Sequence, residues 1–389
     1  MLKVGIVGAG LLGCAHAENL QQNADVEVVA IADVRLDAAK ELAARVHASP
    51  YDSLGEMLRV HSLDLVVVAT PDAFHREPTL AAIAAGVPTI LQEKPLATTV
   101  EDAQIIYEAV ERSGTRLFLN YANRTAPMDI ATAYTIREGL LGKIVYGEVR
   151  LDDNISVPTS LWGVRSRDWA GASSTAHFLL SHVIDLLRWY LHPSEIRQVY
   201  AIKQQTVLGY TPDLYDALLE FDNGAHMRVK AEWIRHMDEL VEFYLSFSGA
   251  EGTLIYNKLP GFGTQSSWRA NVAARVTTEE LFIHQQALGS AGASVRAVID
   301  RGAPGTQRSP GAEDRLPLGL ESVGHGIGKP MALADYAIDA ILSGTLEPRS
   351  WKGPGPLPTH EDGLRQTLAV AAIVESANTG RVVQLNELA

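Results

Sequence analysis

Six residues near the start of the chain limit its fold more than anything else in the sequence. Gly8-Ala9-Gly10-Leu11-Leu12-Gly13 follows the apolar run Val4–Val7 and opens a helical pattern over Leu11–Gln21. Asp33 ends the next apolar run, 20 residues beyond Gly13. The glycines have separate tasks. Gly8 permits a tight turn, Gly10 lets backbone approach a pyrophosphate, and Gly13 permits close helix–strand packing. The helix start, at Leu11 and Leu12, offers free N–H groups and a partial positive charge to phosphates. Asp33 accepts hydrogen bonds from ribose hydroxyls and repels a 2′-phosphate, so the pattern predicts NAD in preference to NADP. Val34 and Arg35 flank it, and Arg35 offsets part of that repulsion.

The surrounding periodicity agrees. Strands at Val4–Val7, Val26–Ala32, Leu63–Ala69, Pro88–Leu91 and Leu117–Leu119 alternate with helices at Leu11–Gln21, Leu36–Val46 and Glu77–Ala85. A further helix starts near Thr98, where Thr98 and Glu101 fit a capping box. Repeated βα units imply a parallel sheet with right-handed crossovers. Residues 1–121 are therefore predicted to form a dinucleotide-binding Rossmann domain. After Tyr121 the pattern changes. A helix at Asp129–Glu138 is followed by candidate strands at Ile144–Leu151, Ile196–Gln204, Tyr215–Phe221, Ala225–Trp233, Glu242–Ser248 and Thr253–Tyr256. Asp222-Asn223-Gly224 is a hairpin signal. Residues 122–389 are predicted to be an α+β domain on an open, mainly antiparallel sheet, carrying substrate binding and oligomerisation. Residues 285–330, rich in Gly, Ala, Ser and Pro, read as a long loop. Two helices, Pro330–Leu342 and Glu361–Ser376, close the chain.

Composition narrows the partners. The formal net charge of −13 over 389 residues disfavours nucleic acid and anionic membranes. No apolar run is long enough to span a bilayer. The single cysteine, Cys14, and the absence of a leader-like start point to a cytoplasmic protein. Met227, Val229, Ala231 and Trp233 crowd one strand with apolar residues. They suggest that an exposed sheet face is covered in a homodimer or homotetramer.

Three more segments carry chemistry. Ala69-Thr70-Pro71-Asp72-Ala73-Phe74-His75 and Gln92-Glu93-Lys94-Pro95-Leu96 both leave predicted parallel strands at their carboxyl ends, where such sheets bind ligands. Ala176-His177-Phe178-Leu179-Leu180-Ser181-His182-Val183-Ile184-Asp185 lies in the second half. With the glycine motif, Arg124, Pro127 and Gly249/Gly252, these segments resemble the glucose–fructose oxidoreductase/inositol dehydrogenase (Gfo/Idh/MocA) family over nearly the whole chain. The resemblance implies sugars, polyols, inositols or their acids as substrates, and a cis peptide between Lys94 and Pro95. It also implies cofactor contacts from Ala69, Thr70, Pro71, His75, Glu93 and Lys94.

Such chemistry moves a hydride from a carbinol carbon to nicotinamide while a base takes the hydroxyl proton. Lys94, beside a cationic ring, is the expected proton carrier, and His182 the second proton-transfer candidate. His75 is expected to shape the cofactor loop. One departure stands out. The family places an aspartate four residues before the active-site histidine, and here that position is Phe178. His177 is one candidate to take over the role. Asp185 shares a helical face with His182 and reads as a substrate-side or orienting partner. The five-residue spacing of His177 and His182 gives no metal pair on an α-helix. Arg165 and Trp169 suit a sugar acid, by charge and by stacking, and Tyr121 and Asn123 lie at the domain junction. Two alternatives to a dehydrogenase stay open. One is an enzyme that keeps NAD bound and oxidises transiently to drive elimination or glycoside cleavage. The other is a non-catalytic protein that senses NAD or sugar.

Overall fold

The computed structural model describes residues 1–261, 265–299, 318–323, 329 and 331–388. Six parallel strands build the first sheet: β1 (Leu2–Val7), β2 (Val26–Ala32), β3 (Ser49–Tyr51), β4 (Leu65–Val68), β5 (Thr89–Gln92) and β6 (Arg116–Leu119). Their order is β3-β2-β1-β4-β5-β6, with the reversal between β1 and β4. Both faces of this sheet are covered, so β4 (Leu-Val-Val-Val) is wholly buried and carries no alternation. The covering helices are α1 (Leu11–Leu20), α2 (Leu36–Val46), α3 (Leu54–Val60), α4 (Arg76–Ala84) and α5 (Val100–Ser113). The cap of α5 is Thr99, whose side chain accepts from the Asp102 amide at 3.1 Å, and not Thr98 with Glu101. The same i,i+3 spacing fits both pairs, and sequence alone could not separate them.

A junction helix, α6 (Pro127–Arg137), leads into the second sheet. Its strands are β7 (Ile144–Asn154), β8 (Ile196–Gln204), β9 (Leu214–Phe221), β10 (His226–Arg235), β11 (Val241–Gly249), β12 (Thr253–Leu259), β13 (Ser267–Asn271), β14 (Val295–Val298), β15 (Gly319–Ser322) and β16 (Val383–Gln384). All neighbours pair antiparallel except β7 and β10, which run parallel. The Asp222-Asn223-Gly224 turn forms as read, with Gly224 at φ +83° and the Ala225 amide bonded to the Asn223 side chain. Between β7 and β8 lie α7 (Ser156–Thr159), α8 (Arg165–Ala172), a wide π turn at Ala176–Leu180, and α9 (Ser181–Leu191).

Two expectations change here. The 285–330 stretch is not one loop. Helix α10 (Thr278–Ser290) runs into it, and β14 and β15 pair at the sheet edge, while residues 300–317, 324–328 and 330 lie outside the described residues. The apolar residues of β10 are also not on an open face. Met227, Val229, Ala231 and Trp233 are fully buried, in the core shared with the helices. Alternation sends Arg228, Lys230 and Glu232 the other way, where they pair with Asp216, Asp152 and Arg235. Finally, α11 (Ala332–Ser343) and α12 (His360–Thr379) return to the first sheet. The Leu119 amide donates to Pro358 O at 3.1 Å, and Gly363 sits against Leu119 and Leu96. Among the described residues, no helix is long and apolar enough to cross a membrane.

Candidate active site

The loops at the carboxyl ends of β4 and β5 meet the segment between α8 and α9, Asp72 at Ser173 and Lys94 at Phe178. At the β1–α1 turn, Gly8 has φ +99°, and a Cβ there would stand 2.4 Å from Ala69 O. A Cβ on Gly13 would stand 1.8 Å from Gly8 O, so only glycine allows this helix to start so close to the strand. A Cβ on Gly10 would meet nothing within 4 Å. Helix α1 has no side-chain cap at Gly10, so its first N–H groups are free for a ligand. Leu11 is 69% exposed in that turn, with Leu12 also exposed. Open space before an uncapped helix, floored by apolar side chains, fits a dinucleotide. Asp33 holds the turn: its carboxylate accepts from the Ala9 and Arg35 amides, both at 2.8 Å. Val34, 92% exposed, and Arg35 flank it at the rim.

Two loops follow β4 and β5. His75 is buried between them, its Nδ1 2.7 Å from Pro95 O and its Nε2 3.0 Å from Thr70 O. Burial favours the neutral ring, whose single N–H donates to one of these two carbonyls, and His75 lies between the Ala69–Thr70–Pro71 loop and the Lys94 loop. Asp72 accepts from the Ser173 hydroxyl, so this loop also grips the second half of the chain. Glu93 is buried and takes His16 Nε2 at 2.7 Å and the Asn120 amide at 2.8 Å. Despite its burial, those partners hold the Glu93 carboxyl below its usual range.

Lys94 is 7% exposed. Its Nζ donates to Phe178 O at 3.0 Å and lies 3.8 Å from the Phe178 ring centre. The π turn supplies that carbonyl, since a widened turn releases backbone from the α pattern. Burial pulls the Lys94 ammonium down to about 8, against the nearby carboxylates of Asp72, Glu93 and Asp153. The Lys94–Pro95 peptide is cis.

His182 sits on the first turn of α9. Its Nδ1 lies 3.2 Å from Asn123 Nδ2. Asn123 Oδ1 takes the Lys258 ammonium at 2.6 Å, and Lys258 also bonds Asp129 at 2.7 Å. Because Lys258 donates, Asn123 must present its oxygen to Lys258 and its NH₂ to His182. The ring nitrogen facing Asn123 is then an acceptor, and the proton of a neutral ring is on Nε2. Burial, then Lys94 and Lys258, hold His182 well below the usual histidine range.

The other sequence-derived residues separate into two groups. Trp169 belongs to an aromatic wall, with Trp162 at 4.8 Å, Phe178 at 4.6 Å and Trp233 at 5.4 Å between ring centres. His177 stands beside it, its Nδ1 2.7 Å from the Ser174 hydroxyl, and Arg165 is exposed on α8. Tyr121 and Asp185 instead lie behind the site. The Tyr121 hydroxyl donates to Gln366, and both Asp185 oxygens accept from Arg124 at 2.5–3.1 Å. Neither presents a free polar atom to a substrate. Sequence reading missed Asp153, Lys258, Asp129 and Trp233, which come from strands and a helix with no motif around them. A paired Asp152-Asp153 at the end of an apolar strand was the one visible signal.

Residues 2–121 match the "Oxidoreductase family, NAD-binding Rossmann fold", and residues 132–255 match the "GFO/IDH/MocA C-terminal domain". A relative named inositol 2-dehydrogenase 3, from Saccharopolyspora erythraea, is 30% identical over 358 residues, covering 89% of this chain and 92% of that one. The chain belongs to the Gfo/Idh/MocA oxidoreductase family. An inositol 2-dehydrogenase of Acidothermus cellulolyticus is 34% identical over 223 residues, 56% of this chain and 61% of that protein. The chain thus spans about three fifths or less of the length of several such curated relatives. Among solved structures, GenD2 from gentamicin A biosynthesis, in complex with NAD, superposes with a TM-score of 0.72 at 23% identity. It covers 98% of this chain and 96% of its own, a likeness of fold. Within the Gfo/Idh/MocA family, the half matched here by residues 2–121 is the NAD-binding Rossmann fold.

Proposed function

We propose that the protein is an NAD-dependent dehydrogenase that oxidises a hydroxyl of a sugar, polyol, inositol or sugar acid. Bound NAD would supply the hydride acceptor, held by the Gly8–Gly13 turn, the amides of Leu11 and Leu12, and Asp33. The observation that carries the reading is Lys94: a buried amine near neutrality, at a strand end beside the dinucleotide turn. An amine at about 8 exchanges protons readily at physiological pH, as a general base for a hydroxyl must. His182 takes a different role from the one its sequence suggested. With Nδ1 accepting from Asn123 and the ring kept neutral, it donates from Nε2 and steadies the developing carbonyl oxygen. The Trp162–Trp169 wall would stack on apolar sugar faces, and exposed Arg165 would meet an acidic substituent.

The test is a panel of inositols, aldoses, glucosides and uronic acids with NAD, followed by NADH absorbance. No reduction with any of them, under conditions where NAD binds, overturns the reading. We further propose a cytoplasmic homo-oligomer through the outer face of the second sheet. The support is no longer β10. It is the row of exposed Tyr146, Tyr200, Ile202, Leu218 and Ile255 on that face. A monomer by light scattering would refute it.

A further inference from the structure

The family's helix-borne carboxylate is replaced here by Phe178, and among the described residues four carboxylates are candidates for its role. Three are committed. Glu93 is held by His16 and Asn120, Asp72 by Ser173 and the Ala73 amide, and Asp185 by Arg124. The fourth is Asp153, at the end of β7. Alternation places it with Val149 and Leu151 on the helix-facing side, opposite Asp152, which pairs with Lys230. Asp153 is 2% exposed, and its Oδ2 accepts one bond, from Trp233 Nε1 at 3.2 Å. Trp233 packs at a tilt against both Trp169 and Phe178, and Phe178 carries the Lys94 ammonium on its ring and its carbonyl. Asp153 thus approaches Lys94 from the sheet, across the ring that occupies the usual carboxylate's place.

We infer that Asp153 is the site's acidic residue, moved from the helix to the sheet, and that with Lys94 it brackets the reacting hydroxyl. The inference rests on the dehydrogenase reading above. In the oxidation, the Asp153 carboxylate receives a proton from the Lys94 ammonium through a bridging water, and the freed amine takes the hydroxyl proton. The C–H electron pair leaves as hydride to NAD, and the C–O bond becomes C=O. One proton finally leaves Asp153 for solvent. The charge state suits this exchange. Burial pushes the Asp153 carboxyl up to about 7, opposed by Lys94 and by the Trp233 bond and reinforced by Asp152. Acid and amine therefore exchange protons as a pair between about 7 and about 8.

Asp153→Asn keeps an oxygen for the Trp233 N–H and removes the charge. Its kcat is expected to fall about 10²-fold, the lower end for an acid–base group. Adding Phe178→Asp, which returns a carboxylate to the helix, is expected to recover about tenfold of that loss. Trp233→Phe removes only the N–H that favours the charged carboxylate, so the acid limb of kcat is expected to move to higher pH. A readout without substrate or NAD separates this idea from the function itself. In an NMR titration of isotope-labelled lysine, the Lys94 midpoint is expected to fall in Asp153→Asn, because a neighbouring anion is lost. An unmoved Lys94 midpoint overturns the inference, even in a protein that oxidises no tested sugar. So do an unchanged kcat in Asp153→Asn and an unmoved limb in Trp233→Phe.

Discussion

Two buried charge clusters lie side by side in this molecule, and they are built on opposite terms. Around Arg124, opposite charges touch. Asp185 and Asp362 both bond its guanidinium, Arg188 bonds Glu195, and Arg188 also approaches Asp362. Around Lys94, charges are kept apart. Its ammonium is spent on a carbonyl and a ring face, and its three nearby carboxylates are bonded elsewhere. A closed cluster joins the turn before α6 to α9 and α12, although burial still raises the Asp185 carboxyl to about 6. An open one leaves an amine and an acid near neutrality, which costs stability but permits proton transfer. Burial alone therefore does not mark a functional charge. What matters is whether the charge has already been answered.

The comparison can be broken most severely at Lys94. Lys94→Ala is expected to lower turnover by about 10²–10⁴-fold while leaving NAD affinity nearly unchanged, by steady-state kinetics and calorimetric titration. Full turnover would end the functional reading. Arg124→Ala attacks the closed cluster and takes from the buried Asp185 carboxylate the guanidinium that bonds both its oxygens. It is expected to cost about 3–5 kcal/mol in denaturant unfolding. A loss below about 1 kcal/mol would mean the cluster is better hydrated than its geometry implies.

The pH dependence of stability sharpens the contrast. Lys94 sits at about 8 in the folded chain against 10.5 for a free side chain. Between those values the unfolded chain holds the extra proton, so stability contributed at this site rises with pH and is lowest below about 8. Relative to Lys94→Met, the wild type is expected to gain up to about 3 kcal/mol across that window. A flat difference would show that Lys94 is not depressed. In the dinucleotide turn, Asp33→Ser is expected to raise the ratio of NADP to NAD use. A wild type already favouring NADP would contradict the role of that carboxylate. The smallest effect is expected at His177, already bonded to Ser174. His177→Ala should lower kcat by less than about tenfold, below the acid–base range. A loss matching His182→Ala would return the missing aspartate's role to His177.

Five of the first sheet's six strands were legible, because a parallel strand buried on both faces writes a continuous apolar run and its turns need particular glycines, while the three-residue edge strand β3 and helix α3 gave no such signal. Six of the second sheet's ten strands were legible, though not their faces, and the short β13, β14, β15 and β16 were not. Met227, Val229, Ala231 and Trp233 showed the alternation, yet not which side the helices cover. The candidate site divides along the same line. Gly8, Gly10, Gly13, Asp33, Lys94 and His182 stand in short local patterns, where backbone geometry and spacing determine their place in the fold. Asp153, Lys258 and the bonding of Asn123 and Asp185 were settled only by the tertiary structure. Their protonation depends on partners 59 to 135 residues away, through bonds such as Asn123–His182, Arg124–Asp185, Trp233–Asp153 and Lys258–Asn123. Local sequence fixes where a side chain starts. Only packing fixes which charge it meets, and in a buried site that meeting decides whether the group is a base, a donor or a strut.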